Sequence, residues 1–197
     1  MSVGLWLVRH GETDWGATSR FTGWTDIPLN ATGRAQARAL RPLLAAHRFA
    51  AVWSSDLRRA TETARLAGVE PATDARLREL DFGDLEGRTW SELSTDEQQG
   101  LLDFDGFQAP NGESVDALQA RVLDFVDSLG DGEQLVITHG GVIRMLLHMA
   151  GADASVTPGD HRRLRMVRTA SPERAWIIED SPVEDGALPV SRRSSRY

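Results

Sequence analysis

Two histidines in this sequence share one local pattern. Each follows an apolar run and precedes a glycine, in Val8-Arg9-His10-Gly11 and in Ile137-Thr138-His139-Gly140. The apolar runs are typical of buried strands, and glycine lets the backbone turn closely around a ligand. Open α/β sheets bind ligands at the carboxyl ends of their strands, so both imidazoles are expected at one edge. One such histidine alone would more simply bond a loop carbonyl, but the repeated pattern favours a joint site.

Arginines near these histidines indicate that the ligand is an anion, most plausibly phosphate. Arg9 stands beside His10, and Arg58 and Arg59 begin the helix predicted after the second strand. A helix amino terminus offers free N–H groups, and a guanidinium adds a fork that matches phosphate oxygens. One of the two helical arginines is expected to be solvated, and helical spacing leaves open which one.

The elements that must position these groups alternate between strand and helix, which indicates an α/β fold. Buried strands are predicted at 3–8, 49–53 and 135–138. An edge strand is predicted at 71–77, and a closing pair at 164–169 and 175–179, joined by 170–172.

Helices are predicted at 31–47, 57–67, 90–98, 114–129 and 142–150. The first should be kinked near 38–41, because Pro42 removes one backbone hydrogen bond. The second should be capped by Ser54-Ser55-Asp56. Residues 12–28 and much of 78–112 are predicted as loops, and loops of that length in a compact domain are usually functional.

Composition and charge restrict the class of protein. A chain of 197 residues, 41% of them hydrophobic, suits one domain, predicted over 1–180 and followed by a polar tail at 181–197. A net charge of −7 without an extensive basic face argues against a nucleic-acid partner. With no signal sequence or membrane span, we expect a cytoplasmic protein with no membrane partner. The absence of cysteine fits a reducing compartment. A homodimer is left open.

Four blocks along residues 3–150 carry a specific set of motifs. They are Leu7-Val8-Arg9-His10-Gly11-Glu12-Thr13, Ser54-Ser55-Asp56-Leu57-Arg58-Arg59-Ala60-Thr61-Glu62-Thr63-Ala64, Leu77-Arg78-Glu79-Leu80-Asp81-Phe82-Gly83-Asp84-Leu85-Glu86-Gly87 and Thr138-His139-Gly140-Gly141. In this order and spacing they resemble the histidine phosphatase superfamily, in its phosphoglycerate-mutase-like group. The resemblance implies a three-layer α/β/α sandwich with a mostly parallel central sheet and an inserted lid at about 80–112.

The resemblance also implies the roles of individual residues. His10 is implied as the nucleophile that becomes phosphorylated, His139 as the second pocket histidine and Glu79 as the proton donor. The phosphate clamp would be Arg9 and Arg59. Substrate contacts would come from the loop and turn residues Thr22, Gly23 and Gly140.

One position departs from the family pattern. Where the family often has Trp-Asn, this sequence has Trp15-Gly16. A side-chain amide to the phosphate is therefore lost, unless the backbone of Gly16 or the hydroxyl of Thr18 replaces it.

These groups would act in a defined order. Neutral His10 attacks phosphorus with its other N–H held by a main-chain carbonyl of the turn, while the arginines and a protonated His139 offset the charge. Glu79 protonates the leaving alkoxide and then activates water, which requires that the 80–112 segment partly shield it. Three further carboxylates lie on the same loop, and spacing alone does not exclude them: Asp81, Asp84 and Glu86. No metal and no other cofactor is expected, because three cations already neutralise the phosphate.

Three functions are compatible with these motifs. The favoured one is a phosphomonoesterase acting on a small phosphorylated metabolite, such as a sugar phosphate or ribazole phosphate. The second is a phosphoglycerate-mutase-type transfer, which the residues Phe21–Asp26 favour but which a short lid, about 25 residues from Gly87 to Gly112, disfavours. The third is a non-catalytic phosphate-binding module, disfavoured because none of the four central site residues is missing.

Overall fold

A six-stranded sheet forms the centre of the computed structural model, which describes residues 2–102, 106–152, 156–168 and 176–180. Within the described residues the strands are β1 (Ser2–Arg9), β2 (Ala51–Ser54), β3 (Ala72–Thr73), β4 (Gly132–Thr138), β5 (His161–Arg168) and β6 (Trp176–Asp180). The α-helices are α1 (Asp14–Ala17), α2 (Ala31–Ala39), α3 (Arg41–Ala45), α4 (Arg58–Leu66), α5 (Thr95–Leu102), α6 (Val115–Asp127) and α7 (Gly140–Met149). Single turns of 3₁₀ helix occur at Ala75–Leu77, Gly83–Leu85 and Trp90–Glu92.

The strand order brings the two histidine-bearing strands side by side. The sheet runs β3-β2-β4-β1-β5-β6, and the first four strands are parallel. Strand β5 is antiparallel to β1, and β6 is antiparallel to β5. In the register of β1 and β4, Arg9 pairs with Thr138, so His10 and His139 leave the sheet at the same level.

Helices cover both faces of the sheet. On one face, β1 and β4 pack against α2, α3 and α4 in a cluster made of Trp6, Val8, Leu40, Leu44, Ala60, Ala64, Ala67, Leu135 and Ile137. On the other face, α6, α7 and residues of the 80–112 segment build a larger cluster around Leu5, Leu7, Phe125 and Ile143. The predicted three-layer α/β/α sandwich with a mostly parallel sheet is confirmed.

The prediction of one kinked helix over 31–47 is wrong. The chain forms α2 and α3, separated at Leu40, and Pro42 lies in the first turn of α3. Proline lacks an N–H and its ring clashes with the carbonyl four residues before it, but a first turn needs no such N–H. Ending α2 and starting α3 therefore costs less free energy than continuing one helix with a kink at Pro42.

The segments around the site also differ from the prediction. The loop at 12–28 contains α1, whose start is capped by the Thr13 hydroxyl. The helix predicted at 90–98 is instead a 3₁₀ turn followed by α5. Ser94 and Glu97 explain the shift, because the Ser94 hydroxyl accepts from the Glu97 amide and the Glu97 carboxylate accepts from the Ser94 amide. This reciprocal cap starts the helix at Thr95.

Other elements agree with the prediction to within a few residues. Helix α6 begins after Ser114, whose hydroxyl accepts from the Ala117 amide. Strand β3 is an edge strand of two residues, and β5 pairs with β6 as expected. The connection at 170–172 and the tail at 181–197 lie outside the described residues. No helix in the described part of the chain is long and apolar enough to cross a membrane.

Candidate active site

The rings of His10 and His139 face each other at the ends of β1 and β4. Their centroids are 5.0 Å apart, and both side chains are buried. The Nδ1 atom of His10 lies 2.7 Å from the carbonyl oxygen of Gly11, its own chain neighbour. A carbonyl only accepts, so Nδ1 carries the proton and Nε2 keeps its lone pair. The main-chain carbonyl expected to hold this ring is therefore that of Gly11.

His139 has the opposite tautomer. The Nε atom of Arg59 donates to its Nδ1 atom over 3.2 Å, which leaves the proton on Nε2. That Nε2 atom is buried without a hydrogen-bond partner in the described part of the chain. Burial and the charge of Arg59 hold the pKa of His139 well below its ordinary value of 6.5. The expectation of a protonated His139 is therefore wrong for this state, and the ring is a neutral donor.

Arg59 is the buried member of the pair that opens α4, whereas Arg58 is exposed. Besides His139, Arg59 donates to the carbonyl oxygen of Gly23 over 2.6 Å and to that of Thr25 over 3.0 Å. Burial lowers its pKa, and the acids around it oppose that effect. Arg59 thus joins β4, α4 and the loop around Gly23 in one place.

Arg9 brings a second guanidinium to the same edge. Its Nη1 atom donates to the carbonyl oxygen of Val156 over 2.7 Å. Its Nε atom is buried and has no hydrogen-bond partner in the described part of the chain. Burial, and then the charge of Arg144, lower the pKa of Arg9 to about 10. Arg9 is therefore still charged at neutral pH and keeps an unused donor.

Glu79 is buried against the start of α7. Its Oε2 atom accepts from the Gly141 amide over 2.9 Å, and its Oε1 atom accepts from the Leu80 amide over 3.0 Å. A Cβ atom on Gly141 would fall on Oε1 of Glu79. Gly141 therefore leaves the space that the Glu79 carboxyl occupies.

The three competing carboxylates have other partners. Asp81 accepts from the Gly83 amide over 2.9 Å, and Asp84 accepts from the side-chain amide of Asn111 over 2.7 Å. Glu86 accepts from the amides of Trp24 and Thr25, over 2.6 and 2.9 Å. Glu79 is the carboxylate of this group that bonds the histidine-bearing segment.

The loop at 20–26 is fastened to the site from several sides. The indole N–H of Trp24 donates to the main-chain oxygen of Glu79 over 2.9 Å. The Thr22 hydroxyl donates to the Arg20 carbonyl oxygen, but the amides of Thr22 and Gly23 donate no hydrogen bond within the described residues. These two amides are therefore available to an oxyanion. Gly140, whose Cα lies against the Arg9 guanidinium, starts α7 at the same edge.

Neither replacement for the missing amide at position 16 is free. The Gly16 amide donates to the Thr13 hydroxyl over 3.1 Å. The Thr18 hydroxyl is exposed and donates to the main-chain oxygens of Asp14 and Trp15. Both groups already form hydrogen bonds within or next to the short helix α1.

Sequence reasoning missed three supporting residues. Asp26 accepts from the Arg58 amide over 2.7 Å, so it caps α4 in place of the predicted Ser54-Ser55-Asp56. Glu86 holds the amides of the 20–26 loop, and Arg121 donates to the main-chain oxygens of residues 76, 78 and 79. Each acts on a partner more than 30 residues away, and local spacing carries no signal for such contacts.

Comparison with known proteins now decides the family. Residues 5–172 match the model of the histidine phosphatase superfamily, branch 1. This chain belongs to that superfamily.

One relative and two solved structures illustrate how far the likeness extends. The phosphoglycerate mutase-like protein 4 of Arabidopsis thaliana is 37% identical over 75% of this chain and 71% of its own. The structure of a phosphoglycerate mutase from Thermus thermophilus is 42% identical, with a TM-score of 0.75, over 91% of this chain and 99% of that one. A putative alpha-ribazole-5'-P phosphatase from Escherichia coli is 26% identical, with the same TM-score of 0.75, over 96% of this chain and 99% of that one. The names of these superfamily members are divided between mutase and phosphatase.

Proposed function

We propose that this member of the histidine phosphatase superfamily hydrolyses a small phosphomonoester through a phosphohistidine on His10. One observation carries the proposal: the rings of His10, which keeps a lone pair on Nε2, and of His139, whose Nε2–H has no partner in the described part of the chain, have centroids 5.0 Å apart, and the adjacent Arg9 keeps an unused Nε–H. A nucleophile and two donors without partners suit a tetrahedral oxyanion, because its oxygens can accept from both donors while the nucleophile attacks its central atom.

In the first half-reaction, His10 Nε2 forms a bond to phosphorus as the bond from phosphorus to the ester oxygen breaks. Its Nδ1–H, held by Gly11, shares the positive charge that develops on the ring. Arg9 and the His139 Nε2–H bind the equatorial oxygens, and the amides of Thr22 and Gly23 can add to them. Glu79 delivers a proton to the leaving oxygen, so the alcohol departs neutral.

In the second half-reaction, water replaces the alcohol. Glu79 takes a proton from the water as its oxygen attacks phosphorus, and the bond from His10 Nε2 to phosphorus breaks. Inorganic phosphate leaves, and Glu79 again holds the proton that it needs for the next ester. Arg59 acts here mainly by holding His139 and the carbonyls of Gly23 and Thr25, because these contacts use three of its donors.

Transfer to a bound product is the second candidate, and the names of the relatives favour it. A mutase must hold its dephosphorylated, anionic product over the phosphohistidine and keep water out. The 80–112 segment has one basic residue, Arg88, and both oxygens of Glu97 accept from its guanidinium. The lid therefore contributes no unpaired cation to such a product, and this supports hydrolysis.

Two variants test the chemistry. His10→Ala should abolish hydrolysis of 4-nitrophenyl phosphate and acid-labile labelling of the protein. Glu79→Gln should slow turnover about 10²- to 10⁴-fold for an alkyl ester, the usual loss for a general acid, yet still allow labelling by 4-nitrophenyl phosphate, a good leaving group. If His10→Ala kept wild-type rates, the nucleophile would lie elsewhere. If the wild-type protein bound phosphate esters without any turnover, a non-catalytic module would be indicated.

A product analysis separates hydrolysis from transfer. Incubation with 3-phosphoglycerate should release inorganic phosphate, whereas a mutase would yield 2-phosphoglycerate. The alcohol part of the ester binds outside the phosphate pocket. Rates of hydrolysis of a panel of sugar phosphates and of ribazole phosphate should therefore show which alcohol the site prefers. Rapid formation of 2-phosphoglycerate would show that the reaction is transfer and not hydrolysis, and His10 would still be the nucleophile.

A further inference from the structure

Arg144 is a cation beside the phosphate pocket that the mechanism does not use. It is exposed on α7, one helical turn after Gly140. Within the described part of the chain its side chain has no hydrogen bond or ion pair. Most arginines near this edge are paired: Arg78 with Asp56, Arg88 with Glu97 and Arg121 with Glu113.

The guanidinium of Arg144 lies close to that of Arg9. A Cβ atom placed on Gly140 would be 3.2 Å from Cζ and Nε of Arg9 and 3.6 Å from Nη1 of Arg144. Because Gly140 has no side chain, the guanidiniums of Arg9 and Arg144 can both lie close to its Cα. The effect is felt by Arg9, because Arg144 is the second largest cause of its lowered pKa, after burial.

The nearby acids form no ion pair with Arg144 in the described part of the chain. Glu79 and Asp160 both act on the charge of Arg9. Their carboxylates are engaged elsewhere, Glu79 with the amides of Leu80 and Gly141, and Asp160 with the Thr157 amide over 2.7 Å. Two neighbouring guanidiniums, one of which has a buried Nε–H without a partner in the described part of the chain, are stabilised when an anion arrives.

We propose that Arg144 binds a second anionic group on the substrate, a carboxylate or a second phosphate, while His10 acts on the first phosphate. Arg9 is half-buried beside His10 and Arg144 is exposed beyond it, so the two guanidiniums mark an inner and an outer position along one wall of the site. The two guanidiniums are close enough that one small metabolite with two anionic groups can contact both. This inference rests on the proposed function and narrows its substrate class.

Three synthetic esters with one scaffold test the proposal. They are 3-hydroxypropyl phosphate, 2-carboxyethyl phosphate and propane-1,3-diyl bisphosphate, whose far ends are neutral, a carboxylate and a phosphate. The wild-type protein should prefer one or both charged esters over the neutral one in kcat/KM by roughly 10- to 100-fold, as a charge-assisted hydrogen bond allows. Arg144→Gln should remove most of that preference, and Arg144→Lys should keep part of it. Arg65→Gln is the matched control, since Arg65 is an exposed arginine near the far end of α4.

The outcomes separate this inference from the proposed function. If Arg144→Gln lowers kcat/KM equally for all three esters, Arg144 serves the reacting phosphate and the proposal is overturned. If the wild-type protein shows no preference for either charged ester, it is also overturned. Binding of the same esters, measured by calorimetry with the wild-type and Arg144→Gln proteins, decides the question without turnover. A protein that binds with the expected ratios but hydrolyses nothing would refute the function and keep the subsite.

Discussion

The two pocket histidines owe their opposite tautomers to different neighbours. A carbonyl oxygen next to His10 Nδ1 can only accept, and a guanidinium next to His139 Nδ1 can only donate. His10 therefore has a lone pair on Nε2, His139 has an N–H on Nε2, and both rings are neutral. Burial and Arg59 keep the pKa of both rings well below 6.5, so both are neutral at neutral pH.

This neutrality makes the stability of the protein depend on pH. The pKa of each ring is lower in the folded protein than in the unfolded chain, so below pH 6.5 the unfolded chain takes up protons that the folded protein does not. The free energy of unfolding should therefore fall as the pH drops from 6.5 to 5.5, by roughly 1 kcal/mol for each ring, because half of the unfolded imidazoles are already protonated at pH 6.5. Urea unfolding across pH 5.5–7.5 measures the slope.

Single substitutions check where the slope comes from. His10→Gln should remove about half of the slope between pH 6.5 and 5.5, because it removes one of the two buried rings. His148→Gln is the matched control, since His148 is exposed at the end of α7. An unchanged slope in His10→Gln would mean that this imidazole is already protonated in the folded protein.

Gly141 gives a second prediction at this scale, because its missing side chain makes room for Glu79. Gly141→Ala would place a Cβ atom on the carboxyl and should lower kcat for an alkyl phosphate by roughly 10- to 100-fold, within the range for a displaced general acid. The helix itself should not suffer, since alanine is the better helix former. Gly130→Ala is the control, because nothing lies within 4 Å of the added atom. Wild-type kcat in Gly141→Ala would argue against Glu79 as the proton donor.

Among the elements, the 20–26 loop decides how the site is assembled. Its carbonyl oxygens accept from Arg59, its amides at Trp24 and Thr25 donate to Glu86, and its Asp26 caps α4. The loop therefore connects the start of α4 to the 80–112 segment. Glu86 is a positioning residue, because it acts on the substrate through the loop.

Glu86→Gln should disturb the site without removing a reacting group. A glutamine amide keeps one acceptor but turns its NH₂ towards the second main-chain N–H, which costs one charge-assisted hydrogen bond. We expect KM for 4-nitrophenyl phosphate to rise by roughly 10-fold and kcat to fall less, because the phosphate contacts loosen while His10 and Glu79 remain. Steady-state kinetics measure both. Glu70→Gln, on an exposed residue outside the site, should match the wild type, and an equal result for Glu86→Gln would remove Glu86 from the positioning network.

The elements also show where prediction from sequence succeeds. The convergence of His10 and His139 was predictable, because parallel strands of similar length end at one edge and both strands carry a strong apolar signal. The choice of Arg59 over Arg58 required the rotation of α4, which local spacing does not provide. The break at Leu40 depends on whether Pro42 kinks one helix or enters the first turn of a second. The start of α5 depends on where a cap outcompetes a continuous helix, a balance of about 1 kcal/mol that propensities do not decide.

For the whole molecule, the main electrostatic feature is a contrast between the chain and its pocket. The chain carries a net charge of −7, yet it places Arg9 and Arg59 beside two neutral histidines. Like charges that are shielded from water are expensive unless a partner arrives, and they concentrate the local field on that partner. A phosphate dianion supplies the two negative charges that match the two guanidiniums.

This charge balance predicts hydrolysis that needs no added metal. Two guanidiniums already offset a dianion, and a divalent cation would have to compete with Arg9 and the His139 Nε2–H for the phosphate oxygens. Turnover of 4-nitrophenyl phosphate by the wild-type protein should therefore be unchanged after incubation with excess EDTA, and added Mg²⁺ should not raise it. A zinc-dependent phosphatase assayed in the same buffer shows that chelation is complete. Loss of activity in EDTA that Mg²⁺ restores would mean that a cation, rather than Arg9 and Arg59 alone, carries the phosphate charge in the transition state.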